Sequence, residues 1–288
     1  MASDSEDSIY FYDPSLPASI LFTALYALPF LYQLYMTVIA PCIGKYNYTG
    51  YFIPILIGAG LEIAGYAVRC GSVEKPDDIA LYSVSSSLIV VAPVFVCASL
   101  YLLVGRLIRF QPSGADSRRR KGVLCISPRW LPRIFVTSDV LSFLTQGSGI
   151  GLAAAGNWEG IEKDIGFGIL ITGLVLQLVT FVLFLAIVLL FHLQAKSVGD
   201  GIDRGHRMVL MGIYISGFFI IVRSIYRVVE FSLGIPSYTF SHEWPLYVLE
   251  AVPMLLAITV LGWFHPGRWL SKFSSSTPEY FEAQKRKR

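Results

Sequence analysis

The sequence predicts an all-α polytopic membrane protein, a bundle of seven transmembrane helices with its N-terminus outside and its C-terminus in the cytoplasm. Three observations predict it. Of 288 residues, 54% are hydrophobic and 15% charged, with a mean hydropathy of +0.59, whereas a soluble domain carries about 25% charged residues. Seven runs reach the roughly 20 mostly apolar residues that a bilayer-spanning helix needs. Of the 23 Lys and Arg, 18 fall on one side of these runs and two, Lys75 and Lys163, on the other, with Arg69, Arg223 and Arg227 inside them. That asymmetry sets the orientation through the positive-inside rule. It also means that the net charge of +3 is no nucleic-acid footprint.

Residues 1–17 form an acidic extracellular segment, with Asp4, Glu6, Asp7 and Asp13. A leader of that charge before a run of full bilayer length is not a signal peptide. The transmembrane domain, 18–264, is expected to have spans at 18–40, 49–70, 82–106, 134–156, 165–193, 208–230 and 244–264, followed by a basic cytoplasmic tail, 265–288. Span 1 contains Pro29, and spans 2, 3 and 7 contain Pro54, Pro93 and Pro253, each an expected kink. Span 2 carries Glu62, Tyr66 and Arg69 at i, i+4 and i+7, which is one helix face. Span 3, nearly free of strong polar groups apart from Ser85, Ser86, Ser87 and Ser99, reads as scaffold. The loop after it holds Arg118 to Lys121, a cluster that would meet anionic headgroups or serve as a topology signal alone.

Span 4 places Asp139 and Gln146 along one stripe, and Gly147-x-x-x-Gly151-x-x-x-Ala155 predicts a groove for a neighbouring helix. Asp139 lies near the cytoplasmic end and is a candidate for proton coupling or for pairing with Arg133 or Arg207. Span 5, with Gln177 alone in its middle, reads as a lipid-facing wall. Span 6 repeats the i, i+4, i+7 pattern with Arg223, Arg227 and Glu230, and adds Tyr226. Span 7 brings Tyr247 and Glu250 before Pro253 and ends at His265-Pro266-Gly267. The sequon Asn47-Tyr48-Thr49 falls on the cytoplasmic side and is expected to stay bare. With only Cys70 near the outer face, no disulfide is expected.

A charged side chain near a helix centre costs roughly 2.5–3.5 kcal/mol on the lenient insertion scale, so these faces must look inward. At 1.5 Å per residue, Glu62, Gln146, Arg223 and Glu250 lie about 9–14 Å below the outer boundary. Glu62, Glu230 and Glu250 balance Arg69, Arg223 and Arg227. The expectation is one buried network around a cavity in the outer half of the bundle. Its candidate ligand-binding residues are Glu62, Tyr66, Arg69, Gln146, Arg223, Tyr226, Arg227, Glu230, Tyr247 and Glu250. Salt bridges that only fix helix register are the other reading of Glu62, Arg227 and Glu230.

Together, Glu62-x-x-Gly65-Tyr66-x-x-Arg69, Asp139-x-x-Ser142-x-x-x-Gln146-x-x-Gly149, Arg223-x-x-Tyr226-Arg227-x-x-Glu230 and HEWPLYVLEAVPMLL through His265-Pro266-Gly267 resemble the fungal lipid-translocating exporter family, also called the resistance-to-aminocholesterol family. The resemblance spans about Gly50 to Arg268, with Glu250 where the family more often carries aspartate. It implies a seven-helix protein of the plasma membrane or related membranes, linked to translocation of sphingoid long-chain bases and resistance to toxic amphiphiles. The partners expected are membrane lipids and an amphiphilic small molecule. Neither a catalytic residue, a metal nor a cofactor is expected, and no Walker A pattern occurs.

Two other classes share features with this pattern. A seven-helix receptor for amphiphiles has the same topology, but span 3 ends Gly105-Arg106 without an acidic-Arg-aromatic triplet and span 7 lacks Asn-Pro-x-x-Tyr. An intramembrane metal-dependent lipid hydrolase would need His192, His265 and Asp139 to converge.

Overall fold

The computed structural model describes residues 14–43, 50–75, 78–110, 130–155, 160–197, 204–234, 238 and 242–269. Outside them lie the acidic N-terminal cluster, the sequon at Asn47, the basic cluster Arg118 to Lys121 and the C-terminal tail. The described residues form helices and turns, with no strand among them.

Helix α1, Leu16–Leu34, begins behind Ser15, whose Oγ accepts the Ala18 N–H at 3.4 Å. It runs on through a wide π turn, Tyr35–Ile39, to Ala40–Cys42. Helix α2, Ile53–Glu74, follows a tight turn at Gly50–Phe52 and has proline in its first turn, where the missing N–H costs nothing. Helix α3, Ile79–Phe110, starts behind Asp78, whose Oδ1 accepts the N–H groups of Ala80 and Leu81 at 3.0 and 3.3 Å. Helices α4, Leu131–Ala155, α5, Gly160–Ser197, and α6, Arg204–Ser232, follow. Helix α7 opens as a π turn, Leu246–Ala251, and continues as Val252–Trp263; one further turn, α8, is Pro266–Trp269.

Six of these segments are long and apolar enough to cross a bilayer: Leu16–Cys42, Gly50–Glu74, Ile79–Ile108, Gly160–Leu193, Arg204–Ser232 and Leu246–Trp269. The protein is an integral, multi-pass membrane protein. Helix α4, with 25 residues, is long enough but is not among the six, because Ser138, Asp139, Ser142, Thr145, Gln146 and Ser148 dilute its apolar content.

Each helix packs on its chain neighbours, and α7 returns to α1, which closes a ring. The tightest crossings use glycine. A Cβ on Gly149 would lie 2.5 Å from Gly166 O and 2.7 Å from Leu170 N, and one on Gly166 would lie 2.6 Å from Gly149 O, so α4 and α5 meet backbone to backbone. The groove expected at Gly147 and Gly151 is not the packing face: a Cβ on either meets nothing within 4 Å. The contact stripe is two residues away, at Gly149. Far from that crossing, the ring closes on His265, which is fully buried. Its Nδ1 accepts the Gly267 N–H at 3.1 Å, which leaves Nε2 as the donor to Thr37 Oγ1, also at 3.1 Å.

Gly149→Val should therefore lower stability by about 1–3 kcal/mol or more, and Gly147→Val should change it by no more than about 0.5 kcal/mol. Thermal unfolding of the two variants in detergent tests this, and equal losses would contradict the assignment.

Candidate functional site

The site is shaped by a local irregularity in α7. Pro253 has no N–H to give the Leu249 carbonyl. The chain widens instead, and the Val252 N–H bonds Tyr247 O, five residues back. The Ala251 carbonyl accepts the Tyr26 hydroxyl at 2.8 Å. This turn brings both Tyr247 and Glu250 into the protein interior, at 7% and 1% exposure.

Glu250 is the centre of the charge arrangement. Its Oε1 receives Arg223 Nη2 at 2.8 Å, and its Oε2 receives Arg227 Nη1 at 3.5 Å. Arg223 Nη2 also donates to the Ile89 carbonyl on α3 at 3.1 Å. Glu230, one turn further along α6, takes Arg227 Nη1 at 2.9 Å on Oε2 and the Tyr226 hydroxyl at 3.0 Å on Oε1. Two carboxylates and two guanidiniums thus neutralise one another, as burial demands.

A second group lies toward the start of α7. Arg69 Nη2 bonds Glu243 Oε1 at 3.2 Å, its Nε donates to the Tyr247 hydroxyl at 3.4 Å, and that hydroxyl reaches Glu243 Oε1 at 3.2 Å. Ser19 Oγ lies 3.0 Å from the same hydroxyl, and the Ser15 N–H reaches Glu243 Oε2 at 2.8 Å. Stacked rings fill the space beside this group: Phe22 on Tyr247 with centroids 4.8 Å apart, and Tyr26 on Tyr66 at 5.5 Å. Glu62 is 1% exposed, and neither of its carboxyl oxygens nor the Tyr66 hydroxyl has a hydrogen-bond partner among the described residues.

A third group faces an open cleft between α3, α4, α5 and α6. Tyr101 OH donates to Asp139 Oδ2 at 2.8 Å, and Gln146 Nε2 donates to Gln177 Oε1 at 3.0 Å. The cleft is narrow, with a cavity volume of about 20 Å³, close to the room one water needs, and its polar lining includes Cys97, Tyr101, Asp139, Gln146, Gln177, Arg223, Ser224 and Arg227.

These positions differ in several ways from the single network expected. Arg69 pairs with Glu243 and not with the α6 acids, and Glu62 is left without a partner. Asp139 bonds Tyr101, a partner outside the readings the sequence left open for it, which were proton coupling or pairing with Arg133 or Arg207. Helix α3, expected to be scaffold, supplies Tyr101, the Ile89 carbonyl and one wall of the cleft; α5, expected to face lipid throughout, supplies Gln177. Of the candidate ligand residues, Gln146, Arg223 and Arg227 line the cleft together with Asp139. Glu62, Tyr66, Arg69, Tyr226, Glu230, Tyr247 and Glu250 do not line it and pack behind it. Glu243 had a signal: Glu243, Tyr247 and Glu250 repeat the i, i+4, i+7 spacing, hidden because a span boundary was drawn through it. Tyr101 had none beyond being a tyrosine in an apolar run.

His192 Nδ1 lies 3.2 Å from the Tyr214 hydroxyl, His265 bonds Thr37 and Gly267, and Asp139 bonds Tyr101. Among the described residues no three His, Cys, Asp or Glu side chains converge as metal ligands.

The family described as RTA1 like protein matches residues 55–272. Among proteins of similar sequence, Protoporphyrin uptake protein 1 of Saccharomyces cerevisiae is 34% identical over 210 residues, covering 72% of this chain and 66% of that protein. The lipid-translocating exporter-like protein RTA1 of Ajellomyces capsulatus is 29% identical over 228 residues, covering 76% and 68%. The sphingoid long-chain base transporter RSB1 of Saccharomyces cerevisiae is 24% identical over 253 residues, covering 76% and 64%. The chain thus spans about two thirds of the length of these relatives. No solved structure matches it.

Removing Glu250 leaves the buried Arg223 guanidinium without its carboxylate, while Arg227 keeps Glu230, so Glu250→Leu should cost about 3–5 kcal/mol. Adding Arg223→Met to Glu250→Leu should recover part of that loss. Chemical denaturation of the single and double variants checks this, and strictly additive losses would show that the pair is not coupled.

Proposed function

Because this chain belongs to the RTA1-like family, we propose that it moves a lipid or related amphiphile across the membrane, sphingoid long-chain bases being the cargo that the family resemblance implies. The observation that carries this reading is the position of Arg223 and Arg227. Each is tied back to Glu250, and each also borders the cleft. A guanidinium held in this way is preorganised to receive a phosphate or hydroxyl at little entropic cost. The acyl chain of such a ligand stays against the apolar walls of the cleft, contributed by Val90, Leu174, Phe181 and Ile220. Glu62, buried behind the rings without a partner, is the reserve carboxylate to which a guanidinium released from Glu250 would turn.

The orientation in this proposal is N-terminus outside and C-terminus in the cytoplasm, in the plasma membrane, with the charged cluster in the outer half of the bundle. The protein acts on its ligand as a carrier, without covalent chemistry. The names of the relatives agree on movement of a ligand and differ in its identity: protoporphyrin for one, a sphingoid long-chain base for another.

Purified protein in liposomes should speed the transbilayer movement of a fluorescent long-chain base or phospholipid well above protein-free vesicles. Arg223→Ala, reconstituted to the same density, should slow it at least about tenfold, as loss of a charged hydrogen bond worth about 1.5–3 kcal/mol requires. Rates equal to protein-free vesicles for every lipid would refute the carrier reading.

A further inference from the structure

The cleft contains one acidic side chain, and it is only half satisfied. Asp139 is 1% exposed; Oδ2 takes the Tyr101 hydroxyl, while Oδ1 is buried with no partner among the described residues. The two other charged groups on the cleft wall, Arg223 and Arg227, are held by Glu250 and Glu230 on the far side. They do not neutralise Asp139 by contact. The remaining polar groups are Cys97 on α3, Gln146 on α4, Gln177 on α5 and Ser224 on α6, none of which is cationic. Along α4 the acid is seven residues from Gln146, or about 10 Å at the helical rise. The cleft therefore presents both an acid, Asp139, and donors, Arg223 and Arg227, and Arg223 Nε is also buried without a partner among the described residues.

A buried carboxylate with an unused oxygen is destabilising unless a donor reaches it. The cleft that Asp139 lines is water-sized inside, so a donor that comes from outside the protein has to widen it. We propose that the Asp139 end of the cleft is the subsite for a protonated amine. The ligand's ammonium donates to Asp139 Oδ1, and an oxygen on the same head accepts from the Arg223 guanidinium. The ligand class is an amphiphile with a primary amine and a nearby hydroxyl or ester oxygen. This inference rests on the carrier reading and adds which carboxylate recognises the cation: Asp139, and not Glu230 or Glu250, whose charge is already met by arginine. An alcohol of the same chain length has no ammonium to offer and leaves Oδ1 unsatisfied, so the subsite discriminates between the two.

Cys97 lines the same cleft and is a free thiol, which makes it a native reporter. In full-length protein with Cys42, Cys70 and Cys125 changed to serine, alkylation of Cys97 by N-ethylmaleimide is followed by mass spectrometry in detergent. Dodecylammonium should slow it at least tenfold at concentrations where dodecanol has little effect. Asp139→Asn should abolish that difference, and Asp139→Glu should restore it. Equal protection by amine and alcohol, no protection by the amine, unchanged amine protection in Asp139→Asn, or no Cys97 alkylation in the unliganded protein would each overturn the subsite. The comparison of amine with alcohol in protein that keeps Asp139 stands even where Asp139→Asn does not fold. Lipid movement in liposomes with no amine preference would overturn this inference and leave the carrier reading standing, whereas no movement of any lipid would remove both.

Discussion

Glu250 accepts from two guanidiniums at once, and the arrangement of the charged interior depends on that sharing. An arginine buried in the bundle is tolerable only beside an opposite charge, and two of them on one face of α6 need an acid that reaches both. The π turn of α7 supplies it. By widening ahead of Pro253, the helix keeps Tyr247 and Glu250 both directed inward, so that Tyr247 joins the Arg69–Glu243 pair while Glu250 meets Arg223 and Arg227.

The same sharing explains how an ionic cluster faces a cleft without collapsing into it. Arg223 is held from behind by Glu250 and by the Ile89 carbonyl, and Arg227 by Glu230 and Glu250. Each side chain is fixed on one side and open on the other. The aromatic stack of Phe22, Tyr26, Tyr66 and Tyr247 fills another flank, and the cleft lies on the side of α4 and α5. The glycine crossing of α4 on α5 brings Gln146 and Gln177 within bonding distance and so forms the wall across from the arginines.

Much of this was legible in the sequence, for physical reasons that differ by residue. Charges at i, i+4 and i+7 inside apolar runs identify inward faces, because hydrocarbon leaves them nowhere else to go; Glu62, Arg69, Arg223, Arg227 and Glu230 were visible in this way, and Glu250 as a lone charge inside span 7. Pairing was not legible, since a helical face says nothing about which neighbour it meets. Arg69 found Glu243, which a boundary had placed in a loop, and Asp139 found a tyrosine in an uncharged stretch of α3 that nothing marks. Glycine spacing misled for a related reason. The motif at Gly147 and Gly151 has the right period, but the register of α4 turns it outward and brings Gly149 against Gly166.

The central claim, that an amphiphile's polar head enters the cleft bordered by Arg223 and Arg227, is tested most directly by photo-crosslinking. A lipid analogue with a diazirine beside its headgroup is activated in membranes containing the protein, and the adducts are mapped by mass spectrometry. The account predicts adducts on the cleft walls, at Val90, Pro93, Leu174 and Ile220. Adducts confined to outward-facing positions such as Leu141, Leu144, Leu183 and Leu190 would contradict it.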